Sequence, residues 1–271
     1  MGISQDRPID PVVGFDTFCP DFYRPAFHRL PLGLPDPPPG LPFRLLLVPT
    51  SPVSSSKKSS SDSRSALHPL VEAAGRGEVP PWARVSQGRR EHMERVSRLL
   101  GKWARTLKLP PEEEMRWRAA GILHDALKNE RPAVLRKTLV PDLDHLPDAL
   151  LHGPAAARRL KEEGVSDKDF LRAVAYHTLG HPKMGGVGRA LVVADYIEPG
   201  RRDRKKWKKS RRSRMPQEFP LVLREVVRAR ILGTVGRDRT LHPETVGLWN
   251  KLAQESPWKQ GTAGARQMAL R

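Results

Sequence analysis

Six histidine and aspartate side chains form the pattern in this sequence that could most directly do chemistry. They occur in the order H…HD…H…H…D, as His92, His124, Asp125, His152, His177 and Asp195. Imidazole nitrogens and carboxylate oxygens are ligands that suit iron, manganese, cobalt and zinc. Six such ligands suffice for two metal ions with positions left open for water and substrate. The pattern therefore predicts metal-assisted hydrolysis, with a phosphate ester or anhydride as the expected substrate.

The apolar surroundings of these residues strengthen the metal hypothesis. The His124-Asp125 pair, His152 and His177 each follow directly on apolar residues, and Asp195 interrupts an apolar run. A single helical histidine is more often a surface residue or a hydrogen-bonded core residue. However, a polar group buried without a partner is destabilising, and here polar groups recur at the edges of apolar runs. Shared metal ligation explains this recurrence better than a series of coincidences.

The composition constrains the compartment and the class of partner. The chain has 271 residues and one cysteine, which excludes an internal disulfide framework and is typical of a reducing compartment. It contains neither an apolar stretch of the ~20 residues that span a membrane nor a recognisable signal peptide at its start. We therefore expect a cytoplasmic protein without a membrane partner. The net charge is +18, and an excess of this kind favours polyanionic partners such as nucleotides or RNA.

The sequence divides into regions of different character. Residues 1–85 are rich in Pro and Ser and nearly neutral, with 9 Lys and Arg against 8 Asp and Glu. They predict a low-order extension with a single plausible strand at 43–48. From residue 86 the apolar period becomes helical and no alternating strand pattern is found. The sequence therefore predicts an all-α domain over 86–255, followed by a flexible tail over 256–271.

The six polar residues and their neighbours resemble the HD-domain superfamily of metal-dependent phosphohydrolases. More narrowly, they resemble the YqeK family, which cleaves diadenosine tetraphosphate symmetrically to two ADP. The resemblance covers roughly 86–254 and implies a helical bundle. The matching blocks are HMERV from His92, AGILHDALK from Ala120, LLHGP from Leu150, YHTLG from Tyr176, and ADYIEP from Ala194 with Arg201.

The resemblance implies two metal ions and divides the six ligands between them. His92, His124, Asp125 and Asp195 are expected to hold one ion. His152 and His177 are expected to hold the other, with Asp125 bridging. Iron is the favoured metal, with manganese, cobalt and zinc as alternatives. Asp125 and Lys128 are the implied catalytic residues.

The resemblance also implies a set of substrate-binding residues: Lys128, Thr178, Gly180, His181 and Arg201. Lys128 follows His124 by one helical turn and could contact a phosphate, although a solvated lysine at a helix end is an equal alternative. Arg201 could bind phosphate in a bidentate manner. His181 stands where the family usually has an arginine, which predicts a weaker phosphate or ribose contact. Thr178 and Gly180 are expected to shape the loop beside the substrate.

The basic run over 201–214 departs from the family, with ten Lys and Arg against one acid. It admits three interpretations: a solvated loop, an electrostatic funnel for a polyphosphate, or a nucleic-acid contact in which Trp207 stacks on a base. Residues 43–64 resemble the strand and substrate loop of a nicotinate-nucleotide adenylyltransferase. Because the paired-histidine motif of that enzyme is missing, we interpret this segment as a decayed remnant.

Other functions remain open at the level of sequence. The same chemistry could act on a nucleoside monophosphate or an alarmone. Alternatively, the chain could be a basic nucleic-acid-binding protein with a vestigial metal site. The sequence does not fix the oligomeric state, although homodimers occur among relatives of this family.

Overall fold

The described part of the chain is helical throughout. The computed structural model describes residues 67–139, 146–201, 203–255 and 266, and these contain ten α-helices and no strand, which confirms the predicted all-α class. The helices are α1 Pro69–Arg76, α2 Gln87–Thr106, α3 Pro111–Leu123, α4 Pro132–Thr138, α5 His152–Glu162, α6 Lys168–Tyr176, α7 Gly186–Ile197, α8 Lys205–Arg214, α9 Phe219–Val235 and α10 Pro243–Gln254.

Several predictions concern segments that the structure does not describe. The low-order extension up to residue 66, the strand at 43–48, the adenylyltransferase-like segment and almost all of the tail after 255 lie outside the described residues. Of the described helices, none has both the length and the apolar character to cross a bilayer.

The core is built around α2, α3 and α7. Trp103 of α2 and Trp117 of α3 are fully buried in this core, and replacing either by alanine would cost roughly 3–5 kcal/mol. Helix α7 is the most buried of the helices, since eleven of its twelve residues are buried. This apolar helix carries Asp195, so the core itself positions one of the candidate ligands.

The packed unit begins before residue 86, where the sequence placed the domain boundary. Helix α1 covers Pro69–Arg76, is capped by the His68 side chain, and packs against α3 through the buried Val71 and Ala74. In the following segment, Arg84 N donates to Ala126 O at 2.7 Å. The sequence did not predict α1, because eight residues are too few to show a clear helical period of apolar residues. Its apolar side is recognisable only from the packing against α3.

The basic run also differs from the solvated-loop interpretation. From residue 205 it forms α8, and the Lys208 side chain is buried, with its Nζ 2.7 Å from Asp203 Oδ1. Arg211 and Arg214 both form ion pairs with Glu225 of α9. Lys208, Arg211 and Arg214 therefore have acidic partners within the protein, and part of the run's charge is neutralised there.

Trp207 of α8 is engaged within the protein as well. The Tyr196 ring meets it edge-on with ring centroids 6.0 Å apart, and the guanidinium groups of Arg204 and Arg211 lie 5.4 Å and 4.2 Å from its centroid. These contacts occupy the ring that the sequence offered for stacking on a nucleic-acid base.

Candidate metal centre

All six candidate ligands lie together in the interior and come from five helical segments. Helix α2 carries His92, α3 ends next to His124 and Asp125, and α7 carries Asp195. His152 opens α5, and His177 follows α6 directly. Each of the six is at most 8% exposed. The structure therefore brings together residues that are far apart in sequence.

The first set of ligand atoms surrounds one oxygen of Asp125. The Oδ2 atom of Asp125 lies 3.4 Å from His124 Nε2 and 3.7 Å from His92 Nε2, and the two histidine nitrogens are 3.3 Å apart. Asp195 joins this set through His92, because its Oδ1 atom lies 3.2 Å from His92 Nε2. These are the residues that the family resemblance assigns to the first metal ion.

The second set surrounds the other oxygen of the same carboxylate. Asp125 Oδ1 lies 3.0 Å from His152 Nε2 and 3.4 Å from His177 Nε2, and those two nitrogens are 3.2 Å apart. Each set contains two histidines and Asp125, and within each of these groups of three the candidate ligand atoms lie within 4.8 Å of one another. Asp125 therefore turns one oxygen to each set, which is the arrangement of a bridging carboxylate.

The hydrogen bonds of the histidine rings favour a cation between these groups. His124 Nδ1 lies 3.0 Å from Gly121 O and His177 Nδ1 lies 2.8 Å from Val174 O, and a carbonyl can only accept. Burial lowers the pKa of His124, so near pH 7 its Nε2 carries a lone pair that faces the Asp125 carboxylate. Two acceptors at this distance repel each other unless a cation lies between them, either a proton shared with the ring or a metal ion. The donor set thus fits a metal of the type that nitrogen and oxygen ligands bind.

The charges of the site follow from the same contacts. Burial would raise the pKa of Asp125, but the surrounding histidines outweigh it and hold that pKa well below its usual range. Burial would also raise the pKa of Asp195, and His92, Arg201 and Arg230 likewise hold it far below the usual range. Burial lowers the pKa of His152 to about 4. The site therefore presents two carboxylates and a neutral imidazole at physiological pH, as metal binding requires.

Glu198 orients His92 and was given no role by the sequence. It is 2% exposed, and its Oε1 atom lies 3.3 Å from His92 Nδ1. Its Oε2 atom accepts from Arg95 Nε at 2.8 Å and from Gly200 N at 2.6 Å. Burial would raise the pKa of Glu198, but the bonds with His92 and Arg95 lower it to about 2. An ionised carboxylate behind a ligating histidine fixes the tautomer that leaves Nε2 free to bind.

Two arginines that the sequence did not single out contact the carboxylates of the candidate ligands. Arg89 Nη1 lies 2.7 Å from Asp125 Oδ2, and Arg230 Nη2 lies 3.2 Å from Asp195 Oδ2. Arg89 precedes His92 by three residues on α2, so helical spacing could have indicated it. Arg230 lies far from its partner along the chain, and no local pattern marks it.

The predicted substrate residues fall into two groups. Lys128 and Arg201 lie at the centre: Lys128 Nζ is 3.3 Å from His152 Nδ1, and Arg201 bonds the Asp195 carboxylate. The other three lie on the loop after α6. Thr178 contributes its carbonyl to Arg230, Gly180 adopts a left-handed φ of 78° and His181 packs on Tyr176 with ring centroids 4.7 Å apart.

The comparison of the whole chain with known families agrees with this geometry. Residues 89–211 match the HD domain family, and this interval contains all six candidate ligands. Over this segment the chain is similar to the HD domain. The resemblance seen in the sequence is thereby confirmed at the level of the domain.

Curated relatives of the HD domain include three bacterial proteins named symmetrical bis(5'-nucleosyl)-tetraphosphatase. The protein of Halalkalibacterium halodurans is 37% identical over 100 residues, which cover 35% of this chain and 54% of that protein. The Staphylococcus aureus protein is 38% identical over 88 residues, with coverage of 30% and 45%. The Bacillus subtilis protein is 40% identical over 89 residues, with coverage of 30% and 47%. The chain thus spans about half the length of the curated relatives it matches.

A solved structure shares the fold of the HD domain. It is described as a predicted HD superfamily hydrolase involved in NAD metabolism, from Clostridium acetobutylicum. The match has a TM-score of 0.56 at 22% identity and covers 69% of this chain and 96% of that one. At this identity, the likeness supports the helical architecture and nothing further.

Proposed function

We propose that the HD domain is a two-metal phosphohydrolase that cleaves diadenosine tetraphosphate symmetrically to two ADP. The observation that carries the proposal is the buried Asp125 carboxylate, whose two oxygens face two separate pairs of histidines. The substrate is inferred from the names of the curated relatives, which are 37–40% identical over the matched segments.

Two metal ions are proposed to be held by the sets described above. His92, His124 and Asp195 complete the set at Asp125 Oδ2, and His152 with His177 completes the set at Oδ1. Such ions activate water and neutralise charge that develops on a phosphoryl group. Nitrogen and oxygen donors suit iron, which we favour, and equally admit manganese, cobalt and zinc.

The protein's own side chains position the substrate around this centre. Lys128 and Arg201 lie beside the two ligand sets and supply positive charge for the phosphate oxygens. Arg89, which contacts Asp125, adds a third cation on the same side as His92. Guanidinium groups bind phosphate oxygens in pairs, whereas the lysine acts as a point charge. We assign the catalytic roles to Asp125 and Lys128. Thr178, Gly180 and His181 are proposed to form the loop beside the substrate.

The basic helix α8 supports an electrostatic role more than a nucleic-acid contact. Trp207 and several cations of the run are engaged inside the protein, while Arg204, Lys205, Lys206 and Lys209 are exposed. Exposed cations raise the local concentration of a polyanionic substrate without any specific contact. Homodimer formation and a cytoplasmic location stay predictions.

Product analysis tests the proposal. The protein is reconstituted with iron or manganese and incubated with diadenosine tetraphosphate, and the products are separated by ion-exchange chromatography. We expect ADP as the sole product, and AMP with ATP would reject symmetric cleavage. Asp125→Asn should abolish turnover, whereas Arg90→Ala, a change at an exposed neighbour of Arg89, should leave it unchanged. If the protein hydrolyses a nucleoside monophosphate or an alarmone and leaves diadenosine tetraphosphate intact, that nucleotide replaces diadenosine tetraphosphate as the proposed substrate.

A further inference from the structure

The side chain of Arg230 connects two metal-ligand segments from a helix that supplies no ligand. It extends from α9 and is 15% exposed. Its Nη1 atom donates to His177 O at 2.9 Å and to Thr178 O at 2.6 Å. Its Nη2 atom donates to Val192 O at 3.1 Å and lies 3.2 Å from Asp195 Oδ2. One guanidinium group therefore holds the residues that follow α6 and the middle of α7 at the same time.

The contacts with His177 and Thr178 satisfy carbonyl groups at the end of α6. The last carbonyls of a helix receive no hydrogen bond from an N–H donor within that helix, and a cation at this end is favoured by the helix dipole. His177 also presents its Nε2 atom to Asp125 Oδ1. Fixing the His177 backbone therefore fixes one ligand of the second set.

The two arginines beside Asp195 contact different oxygens of its carboxylate, because Arg201 donates to Oδ1 and Arg230 lies beside Oδ2. Arg230 approaches Oδ2, whereas Oδ1 is the atom that lies 3.2 Å from His92 Nε2. A guanidinium on one oxygen of a carboxylate restricts the rotation of the whole group, so the other oxygen is aimed at the first set. This contact is thus compatible with Asp195 acting as a ligand.

We propose that Arg230 is a positioning residue of the metal centre, which holds Asp195 of the first ligand set in register with His177 of the second. The inference rests on the proposed two-metal site and goes beyond the ligands themselves. Lysine cannot replace this function fully, because a single ammonium group lacks the planar fork that reaches acceptors on two helices.

The test compares metal affinity in three purified full-length variants. Arg230→Met removes the guanidinium with little change of length, Arg230→Lys keeps the charge, and Arg228→Met makes the same change at an exposed position of α9. The dissociation constant for Mn²⁺ is measured by isothermal titration calorimetry, and Tm is measured on the same samples. We expect about 10–100-fold weaker binding in Arg230→Met, as for other residues that orient ligands. Arg230→Lys should be intermediate and Arg228→Met should match the wild type.

A chemical rescue separates positioning from a structural role. In Arg230→Ala, added methylguanidinium should restore part of the Mn²⁺ affinity, because it can fill the space and offer the same donors. Wild-type Mn²⁺ affinity in Arg230→Met, with only a lower Tm, would overturn the inference. If Arg230→Met does not fold, wild-type affinity in Arg230→Lys would overturn it equally.

The outcome for this residue is distinguishable from the outcome for the proposed function. A wild-type protein that binds Mn²⁺ but leaves diadenosine tetraphosphate intact overturns the tetraphosphatase, while the comparison of Mn²⁺ affinities still decides the role of Arg230. A wild-type protein that binds no Mn²⁺ overturns the metal centre and the role of Arg230 together.

Discussion

Gly121→Ala tests how closely α2 and α3 must approach each other to position His124 and Asp125. Gly121 lies on α3, three residues before His124, and its carbonyl accepts from His124 Nδ1. A Cβ atom at this position would lie 2.5 Å from Ser97 Cα and 2.6 Å from Ser97 N. Both are backbone atoms of α2, so no change of rotamer can relieve the clash. The two helices would have to separate by about 1 Å to restore an ordinary contact.

The expected loss of stability follows from two opposing terms. Overpacking of this kind costs about 1–3 kcal/mol, while replacing a helical glycine by alanine returns roughly 0.5–1 kcal/mol. We therefore expect a net loss of up to about 2 kcal/mol, which corresponds to a fall in Tm of roughly 4–8 °C for a domain of this size. Because His124 moves with α3, the affinity for Mn²⁺ should fall as well.

The assay follows thermal unfolding by circular dichroism and Mn²⁺ binding by calorimetry. Gly88→Ala is the matched control, since a Cβ at that position of α2 meets no atom within 4 Å. It should leave Mn²⁺ affinity unchanged and raise stability by roughly 0.4–1 kcal/mol. If Gly121→Ala is as stable as Gly88→Ala and binds Mn²⁺ equally well, the close approach of α2 and α3 at Gly121 is not needed to position His124.

Three further changes probe the surroundings of the ligands. Glu198→Gln should weaken Mn²⁺ binding about 10–100-fold, because a neutral amide orients His92 less strongly; unchanged calorimetric affinity would contradict the role of the carboxylate. Lys128→Met should lower kcat/KM roughly 10–100-fold, since a hydrogen bond to a charged group contributes about 1.5–3 kcal/mol, while Mn²⁺ stays bound; loss of the metal would show a structural role instead. Asp167→Ala should destabilise the protein by about 0.5–2 kcal/mol in urea unfolding, because Asp167 caps α6 through the amide groups of Asp169 and Phe170. Burial would raise the pKa of Asp167, but its bond to Arg116 lowers it, so its stabilising effect is present above about pH 4 and is lost as the pH falls through the lowered pKa; an equal effect of the mutation at lower pH would contradict this.

The helical framework of the site could be predicted from the sequence with good agreement. The change to a helical apolar period at residue 86 corresponds to the start of α2 at Gln87. Five of the six ligand candidates were recognisable because each is a polar residue beside or within an apolar run, whereas His92 lies between Glu91 and Met93 in a charged segment. That signal is local, so a single sequence can show it.

The parts that the sequence missed depend on contacts between distant elements. Helix α1 is stable because α3 covers its apolar face, and Lys208 is buried because Asp203 and the Tyr196 ring receive its charge. The contacts of Arg230 lie 35 to 53 residues away along the chain. The division of the ligands into two sets was an expectation from the family resemblance, since spacing alone does not decide which ligands share an ion.

Anomalous diffraction from crystals soaked in Mn²⁺ tests the central claim most directly. We expect two anomalous peaks on opposite sides of the Asp125 carboxylate. One should lie against Oδ2 with His92 and His124, and the other against Oδ1 with His152 and His177. A single peak, or peaks that Asp125 does not share, would contradict the bridging carboxylate and with it the two-metal hydrolase.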